Sequence, residues 1–422
     1  MHLRSGMILR TAMLALTLTM FAPGEADAIP AFARKYRVTC ALCHAPFPRL
    51  NAFGEVFAGN GFQMVRGETP QDTMFVGDPL LRLQRDIPLA VRVDAYMSAL
   101  TETDELAAGA DIKTPWGVKI LSGGQVTESV SYYFYFYMSE RGEIAGLEDA
   151  YLQFNDVIGS GIDVMAGQFQ ISDPMMKREL RLSFEDYQPY RVRVGDVRAD
   201  MTYERGLMAS YSPWENGDLV VQLVNGHGLE HADSEKSYDN DAGKNVGVRF
   251  SQDFGAIRLG GFYYGGTEAA ESLESSLQIL GADATLPLGN KVTFNGQYLN
   301  RRDDNPFFLN ACVANDFRCA VGASNEFETE VDSYLGELFI SPNGAMGTWH
   351  FTVLYNLIEA NRQVFRLRLG EQNRGVGYLD AYETLAFGAH YFKARNLRFM
   401  GEVGWDFNAE RARFTTGVIT AF

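Results

Sequence analysis

Beyond residue 28 the chain has no run of about 18 apolar residues, which excludes membrane-spanning helices from the remainder. Positive charge is also scarce: 37 Lys and Arg stand against 53 Asp and Glu, a formal net charge of -16. Nucleic acid is excluded as a partner on that ground, because phosphate binding needs clustered cations. Cysteine is scarcer still, with 4 in 422 residues. Two of them, Cys40 and Cys43, sit close together, and the others, Cys312 and Cys319, are far off. A zinc site at the first pair would need two more soft ligands nearby. What the chain has in plenty is aromatic side chains, 13% of the whole. That composition leaves room for a membrane β-barrel, whose strands carry apolar residues only at every second position. The length suits one large domain or two ordinary ones.

Residues 1–28 read as a secretory signal. Arg4 and Arg10 give a positive start, Met13 to Phe21 an apolar core, and Ala26-Asp27-Ala28 a cleavage site. Export places the protein in an oxidising compartment, where Cys312 and Cys319 are expected to pair as a short loop disulfide.

Cys40-Ala41-Leu42-Cys43-His44 follows directly, the pattern for covalent attachment of a c-type haem. Each thiol adds to one haem vinyl group, and the adjacent imidazole then becomes the proximal iron ligand. The sixth iron position of an electron-transfer haem goes to Met or His. Met64 and Met74 are the choices within the small N-terminal segment, and His350 and His390 are the choices on the strands described below. An open or water-bound site is the remaining alternative. Phe32, Tyr36, Phe47, Phe53, Phe57 and Phe62 surround the motif and supply a small aromatic core. Some 45 residues bury too little apolar surface to fold alone without a staple, so residues 29–75 are expected to lean on another surface.

The run Ala28-Ile29-Pro30-Ala31-Phe32-Ala33-Arg34-Lys35-Tyr36, the haem motif, Pro48-Arg49-Leu50-Asn51-Ala52-Phe53-Gly54 and Asn60-Gly61-Phe62 together resemble the N-terminal cytochrome segment of the outer-membrane cytochrome–porin fusions. The best-known members of that family are iron(II)-oxidising cytochromes, which tend to carry Gln-Thr where this chain has Lys35-Tyr36. The resemblance implies one covalent haem c held by Cys40, Cys43 and His44. It also implies an extracellular donor, expected to be iron(II), and a periplasmic carrier as partner. The protein would be an electron carrier rather than a conventional enzyme.

From residue 86 to 422 the pattern changes to a period of two. Leu89, Val91, Val93, Ala95 and Met97 share one face, with Arg92, Asp94 and Tyr96 on the other. Val292, Phe294, Gly296 and Tyr298 alternate with Thr293, Asn295 and Gln297, and Trp349, Phe351, Val353 and Tyr355 alternate with His350, Thr352 and Asn356. Apolar-out, polar-in strands of about ten residues are the signature of a transmembrane barrel. Tight turns at Pro213 to Gly217, Phe254-Gly255, Pro287 to Asn290, Pro342 to Gly344 and Lys393 to Asn396 alternate with long connections around 172–200, 227–243, 302–328 and 358–379. The fold class is therefore all-β: an antiparallel barrel of about 16 strands in the outer membrane, both termini periplasmic, with a small cytochrome segment. Phe422 ends the last strand, as outer-membrane barrels generally end.

The connection at 173–198 is rich in charge, with Lys177, Arg178, Arg181, Arg191, Arg193 and Arg198 beside Glu179, Glu185 and Asp186. Asp173-Pro174 reads as a helix start. The segment either folds inward and narrows the lumen, pairing its cations with wall acids or haem propionates, or lies outside as a solvated helix. Two functions follow from the whole: an electron conduit across the outer membrane, or a passive or haem-gated porin. A soluble periplasmic haem enzyme does not need such strands. For the conduit, the cytochrome segment is expected inside or at the periplasmic mouth of the barrel.

Overall fold

The computed structural model describes residues 31–64, 73–78, 80–81, 83–85, 87–103, 106–239, 241–270, 272–311, 316, 318–319, 327–367 and 377–422. The expected signal at 1–28 and Cys312 lie outside the described residues. Cys319 is disulfide-bonded.

Sixteen strands form one closed antiparallel barrel. In chain order they are β1 (Leu89–Leu100), β2 (Gly109–Gln125), β3 (Val130–Glu140), β4 (Gly146–Phe154), β5 (Ile162–Gln170), β6 (Tyr203–Trp214), β7 (Gly217–Val224) and β8 (Asn245–Phe254). The second half comprises β9 (Ile257–Ala270), β10 (Leu273–Leu288), β11 (Val292–Asp303), β12 (Thr329–Ile340), β13 (Trp349–Ala360), β14 (Ala381–Ala394), β15 (Leu397–Asp406) and β16 (Arg411–Ala421). Each strand pairs with its neighbour in sequence, and the seam closes β16 on β1, with Ala421 opposite Arg92 and Arg413 opposite Leu100. A twelve-residue strand is roughly 40 Å long at about 3.3 Å per residue, enough to cross a hydrocarbon layer at the tilt that barrels adopt.

The tight turns lie where glycine, proline and asparagine cluster: Asn216 and Gly255 both hold a positive φ, and Gly289 and Gly344 do the same at the other two Pro-initiated turns. All of these fall at one end of the barrel, together with the start of β1 and the end of β16. The opposite end carries the connections 171–202, 225–244, 304–328 and 361–380.

Alternation determines the faces as expected. On β13, Trp349 and Phe351 are exposed while His350, Thr352 and Asn356 are buried. Exposed aromatics stand near both rims: Trp214, Phe254, Trp349 and Phe422 at the tight-turn end, and Trp405, Phe407 and Phe414 toward the other. Paired girdles of this kind place amphipathic rings at the two interfaces of a bilayer.

The inside is less polar than alternation alone predicts. Leu277, Ile279, Leu335 and Leu354 point inward and are buried against Ile171, Tyr187, Tyr190 and Met201. A second inward group, Val331 and Ile358, packs with Val192, Val194, Phe365 and Leu367. The reason is the connection between β5 and β6. It turns into the barrel and gives these side chains an apolar cover in place of water, so burying them is favourable. No α-helix starts at Asp173-Pro174: the segment there is a turn, followed by two short 3-10 turns, Arg178–Leu180 and Gln188–Arg191. The expected helix fails because tertiary packing supplies the partners, and Asp173 bonds Lys177 side chain to side chain rather than capping.

Candidate functional site

The N-terminal segment builds its own framework first. Helix α1 (Ala31–Tyr36) and helix α2 (Ala52–Gly59) flank a 3-10 turn, Cys40–Leu42. Asn51 caps α2, its side chain accepting from Gly54 N at 2.9 Å. The same side chain donates to Leu42 O at 3.0 Å, which ties the helix to the motif. Gly54 is required by that closeness, because a Cβ there would overlap the Cys43 carbonyl. Phe57 packs edge-on against Phe32 (5.4 Å) and Tyr36 (5.6 Å), and Phe32 stacks on Phe62 at 4.9 Å. Those aromatics form the small core the sequence implied. Phe47 departs from it and packs instead with Leu182, Phe339 and Phe392 of the barrel interior.

Cys40 and Cys43 are both free thiols, half-buried, and burial raises both above the ordinary thiol value. The His44 ring is oriented by its backbone surroundings. Nδ1 lies 3.0 Å from Pro48 O and 3.3 Å from Arg49 O. Carbonyl oxygens only accept, so Nδ1 carries the proton and Nε2 keeps its lone pair. Burial also lowers the His44 pKa, favouring the neutral ring. A metal-ligating histidine is held in this way, with the far nitrogen donating to a carbonyl and the near one left to coordinate. The two thiols, their spacing and this ring fit a c-type haem.

The segment sits at the tight-turn end of the barrel, bonded to its inner wall. Arg49 forms an ion pair with Glu337 of β12 at 2.7 Å and stacks over Phe339 at 4.6 Å. Gln153 donates to Gly59 O, Asn155 to Asn60 O, and Phe62 stacks on Tyr133 at 4.7 Å. Beside the motif, a small cleft is lined by Cys40, Ala41, His44, Pro46, Phe47, Ala345, Met346, Phe392 and Arg395. Ala345, Met346 and Arg395 belong to the tight turns after β12 and β14.

The four sixth-ligand choices lie as follows. Neither Met64 nor Met74 lines the cleft beside Cys40 and His44. Met64 is half-buried at the end of the segment, and Met74 is exposed in a two-residue pairing with Leu83. His350 and His390 do face inward, opposite each other on β13 and β14. Both ring nitrogens of His350 are engaged, Nδ1 with Ser341 Oγ at 2.8 Å and Nε2 with Gly347 O at 3.0 Å. His390 bonds Thr352 Oγ1 through Nε2 at 3.0 Å. Phe392 links the two regions, meeting the His350 ring at 5.4 Å and packing with Phe47, which itself meets the His44 ring at 5.0 Å.

Of the two courses the sequence left open for the charged connection, the structure takes the inward one, and what sequence reasoning missed are its wall partners Glu337, Glu402, Lys119 and Arg413. Asp186 of the connection receives Arg178 at 2.6 Å, Arg191 at 2.8 Å and Arg181 at 3.3 Å. Across the lumen Tyr187 donates to Glu337 at 3.0 Å, Tyr190 to Gln297, and the Phe184 and Glu185 amides to Glu402. Wall cations answer its acids, Lys119 with Glu179 at 3.1 Å and Arg413 with Glu185 at 2.6 Å. Glu337 thus serves two masters, the N-terminal segment through Arg49 and the inward connection through Tyr187, with Asn295 as a third donor at 2.9 Å. The connection divides the lumen. Met175, Met176, Lys177 and Leu180 border a chamber of about 770 Å³ toward the N-terminal segment. Arg178 and Glu179 border one of about 950 Å³ toward the long loops.

One further group occurs among those loops. His227, Asp239 and Asp241 bring ligand atoms within 4.8 Å of one another, but Lys244 already pairs with Asp239, and His227 Nε2 lies 3.0 Å from the same carboxylate.

No protein-family model and no curated protein matches the chain. Solved structures do match its fold. An anion-selective porin from Comamonas acidovorans superposes with TM-score 0.54 at 8% identity, over 80% of this chain and 99% of that one. The outer-membrane channel DcaP of Acinetobacter baumannii gives 0.53 at 10% identity, over 80% and 97%. A loop-deletion mutant of OmpT, an outer-membrane protein of Vibrio cholerae, gives 0.51 at 10% identity, over 80% and 99%. The likeness is one of fold, the sixteen-strand porin barrel.

Proposed function

We propose that this barrel sits in the bacterial outer membrane as a cytochrome–porin, passing electrons between an extracellular donor, expected to be iron(II), and a periplasmic carrier. The observation that carries the reading is the Cys40–His44 turn. Two free thiols and an imidazole with its Nδ1 committed to carbonyls are held against the inner wall at the tight-turn, periplasmic end. Once attached there, a haem c supplies a one-electron carrier.

The chain's own residues do the rest. Cys40 and Cys43 anchor the group, and His44 offers Nε2 to the iron. Met64 and Met74 are the candidates within the segment for a second iron ligand, although neither borders the cleft beside Cys40 and His44. Arg49, through Glu337, keeps the segment in the mouth, and Asn51 and Gly54 keep α2 close against the motif. Leu42, Phe53 and Val56 are exposed around the motif and offer a periplasmic carrier an apolar contact. The inward connection restricts the lumen, so that the donor itself need not cross.

A second reading, a passive or haem-gated porin, is favoured by the likeness to porins and channels and by the two sizeable chambers. Stopped-flow spectra of the purified protein mixed with iron(II) or with sulfide separate the two. Rapid appearance of the reduced haem spectrum with one donor supports the conduit and identifies the donor. A haem that stays oxidised with every donor, in a protein that conducts ions freely, leaves the porin. Before that, acid–acetone extraction should leave haem on the polypeptide, and Cys40→Ala with Cys43→Ala should remove it. A colourless wild-type protein from a host with a working attachment pathway refutes the cytochrome assignment.

A further inference from the structure

Between the inward connection and the wall formed by β14 to β16 and β1 to β3 runs a narrow cleft of about 80 Å³. Its lining is strongly unbalanced in charge. Eight arginine and lysine side chains face five carboxylates. Glu402, reached by Arg413 at 3.3 Å, adds a sixth, which leaves two positive charges unmatched. The excess occurs in a chain whose overall charge is -16. Pairing within the cleft shows the same shortage, since the single Asp186 carboxylate is shared by three guanidinium groups.

Two of the arginines are buried with donors unused. Arg398 is 3% exposed and Arg191 4%. Nε and Nη1 of Arg398 and Nε of Arg191 are shut off from the surface and meet no acceptor among the described residues. Both side chains line the cleft. Arg191 keeps one ion pair, through Nη1 to Asp186 at 2.8 Å, yet buried guanidinium donors left unmet are costly, and an anion can meet them. The guanidinium fork matches oxyanions in particular, with two parallel N–H donors per group.

We propose that this cleft is a binding site for one small, doubly charged oxyanion of the phosphate class, held by Arg398 and Arg191. Arg398 stands on the wall and Arg191 on the connection, and both line the cleft, so an anion taken by both would tie the connection to the wall. The volume admits it, being several times the roughly 10–15 Å³ that one water requires by the same measure. None of the lining residues belongs to the N-terminal segment, so the ligand is a diffusible anion rather than a haem propionate, and the site is independent of the electron-transfer reading. Its lining reaches Glu140 and Arg141 at the long-loop end.

The test is titration calorimetry of the full chain in detergent with inorganic phosphate, ionic strength being fixed with sodium chloride. One saturable site per chain is expected. Arg398→Gln and Arg191→Gln, which remove the charge but not the bulk, should each weaken it at least tenfold. Heat-modifiable migration on a gel confirms a closed barrel in each variant, and if Arg398→Gln fails to close, Arg191→Gln and the wild-type titration decide. No saturable binding to the wild type, or an affinity unchanged in both variants, overturns the proposal and leaves the cleft to water.

Discussion

Glu337 offers the most direct way to test how the N-terminal segment is held. Its side chain is fully buried and takes three donors: Arg49 at 2.7 Å, Asn295 at 2.9 Å and Tyr187 at 3.0 Å. Glu337→Gln keeps the volume and one acceptor but removes the charge that faces Arg49. A hydrogen bond to a charged group contributes about 1.5–3 kcal/mol, and breaking a buried pair costs about 3–5 kcal/mol. Arg49 keeps a fifth of its side chain exposed, which argues for the lower part of that range, about 2–3 kcal/mol. At about 1.4 kcal/mol per factor of ten, the ratio of docked to released segment should drop roughly 30- to 150-fold. Two assays read it: the rate at which a protease cuts within residues 31–64, and the frequency of large openings in planar-bilayer recordings. Tyr187→Phe is the control, since it removes only the bond from the inward connection and should leave the segment protected. A double-mutant cycle with Arg49→Gln isolates the pair, with a coupling of at least about 1.5 kcal/mol expected. Strict additivity of Arg49→Gln and Glu337→Gln, or unchanged protection in Glu337→Gln, would refute the argument.

Gly54→Ala should displace α2 from the haem motif at a cost of about 1–3 kcal/mol, typical of forced overpacking, seen as faster proteolysis of the segment in a barrel that still closes. Deleting residues 29–75 should convert a nearly closed pore into a conducting one in liposome-swelling assays, and unchanged conductance would mean that the segment does not obstruct the lumen. Acid should loosen the inward connection: burial alone would raise the Glu179 carboxyl, but Lys119, Arg181 and Arg178 outweigh that and hold it at about 2. Because this value lies below the ordinary one near 4.3, the stabilisation from Glu179 is complete above roughly pH 4.3 and is lost as pH falls toward 2. The melting temperature should therefore fall more steeply across that window in the wild type than in Glu179→Gln.

The barrel was legible because its signal is local. Alternation on Leu89 to Met97, Val292 to Tyr298 and Trp349 to Tyr355 reports which side chains face a lumen, and glycine, proline and asparagine mark where strands turn back. The haem-type motif was equally local. Local pattern could not say what crosses the lumen. Leu354 and Ile358 fall on the inward face of β13 together with His350 and Asn356, and only the inward connection explains why apolar residues belong there. Glu337 carried no signal in the sequence, for its importance comes from Arg49 and Tyr187, which are remote along the chain. The expected helix at Asp173-Pro174 failed for the same reason: Arg178, Arg181 and Arg191 gather on Asp186 in a compact knot that no helical spacing would produce. Met64 and Met74 were named by residue type alone, and neither borders the cleft beside His44.

The seam between β16 and β1 imposes an order on assembly. Arg413 must find Leu100 and Ala421 must find Arg92, partners at opposite ends of the chain, so closure waits for the last strand to be delivered. By then the interior has to be furnished. The connection 171–202 bonds to β11, β12, β13, β15 and β16 across the lumen, and Arg413 of the closing strand itself clasps Glu185. The final strand therefore shuts the wall and locks the contents in one event. A chain truncated before β16 would lose the seam and the Arg413–Glu185 clasp at once, remaining an open sheet whose connection is held only by β11, β12, β13 and β15.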